Sequence, residues 1–210
     1  MLPEGSFATL ANGFQFHYHD GGQGDVVLFL HGSGTGASGF TNFKKNIDFF
    51  QRNGFRTIVP DLPGYGFSDK PKDEIYTMSF FNNLLIELLD HLNITNCSVV
   101  GNSLGGALAM GLSLEQPNRF SKLILMAPGG LEDFNAYQEM PGIKKLLGDF
   151  LGGEMNQEKI EGLLKLFPYD PSFVTKDIIE DRMQILPLMN QQVLASMDIP
   201  NLSEKLKDNQ

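Results

Sequence analysis

The chain has 210 residues, is 41% hydrophobic with 17 Phe, and carries a net charge of −9. That length suits one domain, or one domain with a cap, and the apolar content is ample for a core. The acidic balance argues against nucleic-acid binding, which needs a basic footprint, and it offers no long-range attraction to an anionic substrate. Any anion must therefore be held by a local Arg or by backbone amides. The single Cys97 cannot close an internal disulfide, and its place in an apolar run marks a buried structural thiol. The N-terminus lacks the basic and apolar regions of a signal peptide, and no apolar run nears the ~20 residues of a membrane span. The expectation is a cytoplasmic protein without membrane or nucleic-acid partners.

Ser6 to Asn12 and Phe14 to His19 read as two strands joined at Asn12-Gly13, a hairpin signal. His17 and His19 share one strand face, and with no third ligand nearby they read as half-exposed histidines rather than a metal site. Val26 to Leu30 is continuously apolar, as expected of a central strand buried on both faces. The glycine-rich run His31-Gly32-Ser33-Gly34-Thr35-Gly36-Ala37-Ser38-Gly39 follows. Its Gly34-x-Gly36-x-x-Gly39 spacing competes as a dinucleotide fingerprint, with Asp61 near the place of a ribose-binding acid. However, Asp61 opens the rigid turn Leu62-Pro63-Gly64-Tyr65-Gly66-Phe67-Ser68-Asp69, which suits no ribose. A phosphate-binding P-loop is excluded because no Gly-Lys-Ser/Thr follows.

Phe40 to Gln51 reads as a helix, Arg56 to Val59 as a strand, and Thr77 to Leu92 as an amphipathic helix, with apolar residues three and four apart. His91 lies near the end of that helix and reads as structural. Cys97 to Val100 is a strand leading into Gly101-Asn102-Ser103-Leu104-Gly105 and a small-residue helix from Leu104 to Gln116. This strand–turn–helix context is what a nucleophile elbow requires, so Ser103 is the candidate nucleophile. A glycine-rich loop after the preceding parallel strand would aim a free backbone N–H at the same place, an oxyanion donor. Lys122 to Met126 is a further strand. After Leu131 strands are expected to stop, and helical patterns follow around 142–151, 157–167, 172–186 and 190–197. This part is rich in Met, which suits a deformable apolar cover. The expected division is a core over 1–130, a helical lid over 131–200, and a return to the core over 201–210.

These blocks resemble the α/β-hydrolase fold: a mostly parallel central sheet with helices on both faces and a helical lid. More narrowly they resemble the hydrolases that cleave a carbon–carbon bond in meta-ring-fission products of aromatic degradation, the 2-hydroxy-6-oxohexa-2,4-dienoates. The resemblance rests on residues 31–42, 61–69, 101–106 and 123–130, and on Phe167-Pro168-Tyr169-Asp170 and Asp181-Arg182 in the lid. One departure is Thr35, where proline is usual. The resemblance implies Ser103 as nucleophile or catalytic serine and the backbone N–H groups of Ser33 and Leu104 as the oxyanion hole. It implies Asn42, Asn102 and Arg182 as holders of the dienoate carboxylate and 2-oxo end, and Phe167 as part of an apolar pocket. It implies no metal and no organic cofactor. Tautomerisation to the keto form would precede attack by Ser103 or by a water it activates. The alternatives are a carboxylic-ester hydrolase and, in another class, a non-catalytic ligand- or partner-binding fragment.

In this fold the triad acid and histidine follow the serine in the chain. The four histidines, His17, His19, His31 and His91, all precede Ser103. The expectation is a C-terminally truncated hydrolase lacking its last strands, with the triad Asp and His absent and the 210-residue chain inactive alone. Its partners are expected to be a small dienoate or ester, a second copy, or a complementing C-terminal chain. The strand at Lys122–Met126 is then expected to be a bare apolar edge.

Overall fold

The computed structural model describes residues 2–151, 155–190, 193 and 196–207. A six-stranded sheet has the order β1-β2-β4-β3-β6-β7. Its strands are β1 (Ser6–Thr9), β2 (Gln15–Gly21), β3 (Asp25–Leu30), β4 (Phe55–Pro60), β6 (Cys97–Asn102) and β7 (Phe120–Met126). Strands β1, β2 and β4 pair antiparallel, and β4, β3, β6 and β7 run parallel to one another. The parallel strands therefore end at one edge. The chain passes from β3 to β4 on one side and later returns to β6 on the other. In such a sheet the crevice beyond the strand ends at this reversal is where ligands bind.

Alternation along the central strands sorts the two faces. Val27, Phe29, Val59 and Val100 face helix α1 (Gly39–Arg52) and pack with its Phe43 and Ile47. Leu28, Leu30, Ile58 and Val99 belong to the larger cluster on the other face, with α2 (Met78–His91) and α3 (Leu104–Glu115). Helix α1 starts cleanly because Ser38 and Thr41 form a capping box. Helix α3 is apolar all round, so it is buried rather than amphipathic, with Leu104 to Leu112 all inside.

After β7 come α4 (Phe134–Glu139), α5 (Pro141–Leu151), α6 (Gln157–Leu164), α7 (Lys176–Ile185) and α8 (Ser203–Lys207). Two features depart from expectation. Strands do not stop after Leu131: β8 (Met197–Asp198) pairs in parallel with β5 (Tyr76–Thr77), tying the end of the helical segment to the start of α2. This corrects the helix expected over 190–197 at Met197; residues 191, 192, 194 and 195 of that span lie outside the described residues. Helix α4 was not expected at all. The segment's two ends meet where the Leu202 N–H donates to the Gly130 carbonyl at 2.7 Å.

His17 is the other correction. It is buried, not half-exposed, because its Nδ1 lies 2.8 Å from Asp61 Oδ2. Asp61 also accepts the N–H groups of Gly39 (2.7 Å) and Phe67 (2.9 Å). One carboxylate thus joins β2, the start of α1 and the turn after β4. Although burial opposes its charge, the bond to His17 and the amide donors hold its pKa below the usual value.

Candidate active site

Ser103 occupies the turn between β6 and α3 with φ 52° and ψ −113°. A non-glycine residue there is strained by about 1–3 kcal/mol and persists only when its surroundings enforce it. Here its N–H donates to the Met126 carbonyl at 3.0 Å, and its carbonyl accepts from Gly106, Ala107 and Gly129. The glycines clear the space. A Cβ at Gly105 would lie 2.0 Å from the Leu30 carbonyl oxygen, and one at Gly101 would lie 2.4 Å from the Gly105 carbonyl oxygen. The Ser103 side chain makes no helix-capping hydrogen bond, and its hydroxyl lies at the positive end of α3.

The loop after β3 comes directly against this turn. A Cβ at Gly32 would lie 3.1 Å from Ser103 Cβ and 3.0 Å from Asn102 Oδ1. His31 shapes the loop and is fully buried. The Leu62 N–H donates to its Nε2 at 2.9 Å, so Nδ1 carries the proton and donates to the Gly32 carbonyl at 2.7 Å. Burial lowers its pKa to about 4 and keeps the ring neutral. The next N–H, that of Ser33, and the N–H of Leu104 have no protein acceptor among the described residues. Such free amides flanking a serine can stabilise a developing oxyanion.

A directed polar chain completes the group. Arg182 Nη2 on α7 donates to Asn42 Oδ1 on α1 at 2.7 Å. Asn42 Nδ2 donates to Asn102 Oδ1 at 3.4 Å, and Asn102 Nδ2 donates to the Met126 carbonyl at 3.1 Å. Arg182 Nη1 reaches the Thr35 carbonyl at 3.3 Å, while its buried Nε has no partner. The guanidinium has no carboxylate partner among the described residues. Burial brings its pKa down to about 10, which leaves it cationic at neutral pH. The structure thus brings Ser103, Ser33, Leu104, Asn42, Asn102 and Arg182 to one place. It does not bring Phe167 there: that ring is 67% exposed just past α6. None of the four histidines is hydrogen-bonded to Ser103. Cys97 is buried away from this chemistry, and its burial pushes the thiol up to about 11. Among the described residues there is no cluster of His, Cys, Asp or Glu able to hold a metal, and no helix long and apolar enough to cross a membrane.

A strained serine between a parallel strand and a helix, faced by a glycine-rich loop with a free amide, defines the α/β-hydrolase class. The chain belongs to that family, whose sequence profile matches residues 25–158. It is 38% identical over 171 residues to a 2-hydroxy-6-oxo-6-phenylhexa-2,4-dienoate hydrolase of Burkholderia cepacia, covering 80% of this chain and 59% of that one. It is 37% identical over 171 residues to a 2-hydroxy-6-oxononadienedioate/2-hydroxy-6-oxononatrienedioate hydrolase of Comamonas testosteroni, with the same coverage of 80% and 59%. Among solved structures it resembles a meta-cleavage product hydrolase from Pseudomonas fluorescens IP01, with a TM-score of 0.76 and 30% identity over 91% of this chain and 66% of that one. The likeness to ring-fission hydrolases is borne out by these relatives. The chain spans about 60% of the length of the curated relatives it matches.

Proposed function

We propose that this chain supplies the nucleophile, the oxyanion hole and the carboxylate-binding arm of a serine-dependent hydrolase that cleaves a carbon–carbon bond in 2-hydroxy-6-oxo-dienoates. One observation carries the reading. Arg182, charged and without a carboxylate partner among the described residues, is linked through Asn42 to Asn102, the residue beside Ser103. A substrate with an anion at one end and a reacting carbonyl at the other matches that layout. The dienoate carboxylate pairs with Arg182, and the Asn42 and Asn102 amides take the adjacent 2-oxo group. The C6 carbonyl then meets Ser103, and its oxygen accepts from the Ser33 and Leu104 N–H groups. Those donors favour the tetrahedral state because the charge they face develops only there. The helices over 131–200 act as the lid, and the site works in the cytoplasm.

Ser103 needs a base to take its proton. His17 is held by Asp61, His19 packs its ring against His17 and Phe40, His31 is neutral and engaged at both nitrogens, and His91 ends α2. We assign the base and its carboxylate to residues outside these 210. The test joins the chain in frame to the C-terminal two-fifths of the Burkholderia cepacia relative and offers it a yellow ring-fission dienoate and a simple aryl ester. The dienoate should be the better substrate, and Arg182→Gln should lower its kcat/KM by about 100-fold, the cost of losing a buried charge pair, while sparing the ester. An ester preference indifferent to Arg182 would move the assignment to a carboxylic-ester hydrolase.

A further inference from the structure

Helix α7 is fastened to α1 by two side-chain rungs. One is Arg182–Asn42, and the other is Lys44, whose ammonium contacts Asp181 at 2.5 Å and Asp177 at 2.6 Å. The rungs are close in sequence on both helices: Asn42 and Lys44 are two residues apart, and Asp181 precedes Arg182. Lys44 and Asp181 are only 16% and 12% exposed, whereas Asp177 is 61% exposed. The Asp181 contact is therefore the shielded one, and the Asp177 contact is screened by water and salt. Thr175 holds Asp177 in turn, through a hydrogen bond from its hydroxyl. A third contact fixes the height of α7 over the loop. A Cβ at Gly36, whose φ is +64°, would lie 2.5 Å from the Arg182 carbonyl oxygen.

We propose that Lys44 is a positioning residue: by bridging Asp177 and Asp181, offsetting part of their negative charge and clamping α7 onto α1, it holds Arg182 over the site with its guanidinium open to a substrate carboxylate. Without Lys44, two carboxylates on the same helix would be left beside the arm that reads the anion. Each would oppose the incoming carboxylate and favour a looser α7. Lys44 touches neither Ser103 nor Asn102, so it acts through Arg182. The inference rests on the anion-binding reading of Arg182.

The test uses the whole 210-residue chain and two readouts. Amide hydrogen exchange follows α7, and calorimetry follows binding of hexa-2,4-dienoate, a carboxylate without the scissile bond. Lys44→Met should speed exchange across Lys176–Ile185 by about tenfold and weaken hexa-2,4-dienoate by about tenfold. Lys44→Arg should restore both, because it keeps the charge between the two carboxylates. Unchanged α7 exchange in Lys44→Met would overturn the clamp, as would faster exchange with undiminished binding. If no variant and not the parent chain binds hexa-2,4-dienoate, the anion reading of Arg182 fails, and with it the open guanidinium that the clamp serves.

Discussion

Strands β3 and β7 flank the same neighbour, β6, and both are strongly apolar, yet their fates differ. In β3 every residue from Val27 to Leu30 is buried, covered by α1 on one face and by α2 and α3 on the other. In β7 Ile124 is 51% and Met126 41% exposed, and Leu123 and Leu125 are only half-buried. Apolar composition sets the capacity for burial; what covers a strand is set by elements elsewhere in the chain. β7 is the bare apolar edge expected from the sequence, and β3 is the floor of the site because both its faces are filled.

That contrast can be broken most severely from the β3 side. Gly105→Ala drives a methyl into the Leu30 carbonyl at 2.0 Å, a backbone group that cannot swing aside. It should cost more than about 3 kcal/mol, seen as loss of soluble folded chain by far-UV circular dichroism. Phe29→Ala removes a ring with no exposed surface and should cost about 3–5 kcal/mol in urea unfolding. The matching truncation on β7, Ile124→Ala, should stay within about 0.5 kcal/mol. Similar costs for Phe29→Ala and Ile124→Ala would erase the comparison.

Acid should loosen the end of β3 before it touches β7. His31 falls from 6.5 to about 4 on folding, so the unfolded chain takes up its proton first as pH drops. Its contribution is complete above pH 6.5 and is lost on the way down to about 4, worth about 3 kcal/mol. Asp61, with its pKa below the usual 3.8, adds its own loss at still lower pH. Urea midpoints between pH 7 and 4 should fall steeply in the parent and more gently in His31→Gln. The smallest effect is on the edge itself. Ile124→Lys should leave the unfolding midpoint unchanged and reduce aggregation, read by light scattering, because a charge blocks strand-edge pairing.

What the sequence made legible was local. The elbow, the loop after β3 and the strand–helix order are written in contiguous residues; Ser103 and a donor loop could be placed from them, whereas Ser33 and Leu104 as the donors came with the family resemblance. Asn42, Asn102 and Arg182 were reachable only through resemblance, since the hydrogen bond from Arg182 to Asn42 spans 140 positions. The Lys44 contacts span 133 and 137 positions and carry no motif at all. His17 was misread for the same reason: its partner Asp61 is 44 residues away, and alternation along a strand does not reveal a buried acid opposite. Strand β8 has two residues, too few for any periodicity.

The decisive measurement is whether turnover depends on Ser103 and on residues beyond these 210. Decay of the yellow dienoate should be followed for the 210-residue chain, for the chain joined to the relative's C-terminal two-fifths, and for the joined chain carrying Ser103→Ala. The joined chain should turn the dienoate over, Ser103→Ala should lose at least about 1,000-fold, and the 210 residues alone should show no Ser103-dependent turnover. Ser103-dependent turnover by the 210-residue chain, or turnover by the joined chain that ignores Ser103→Ala, would contradict it.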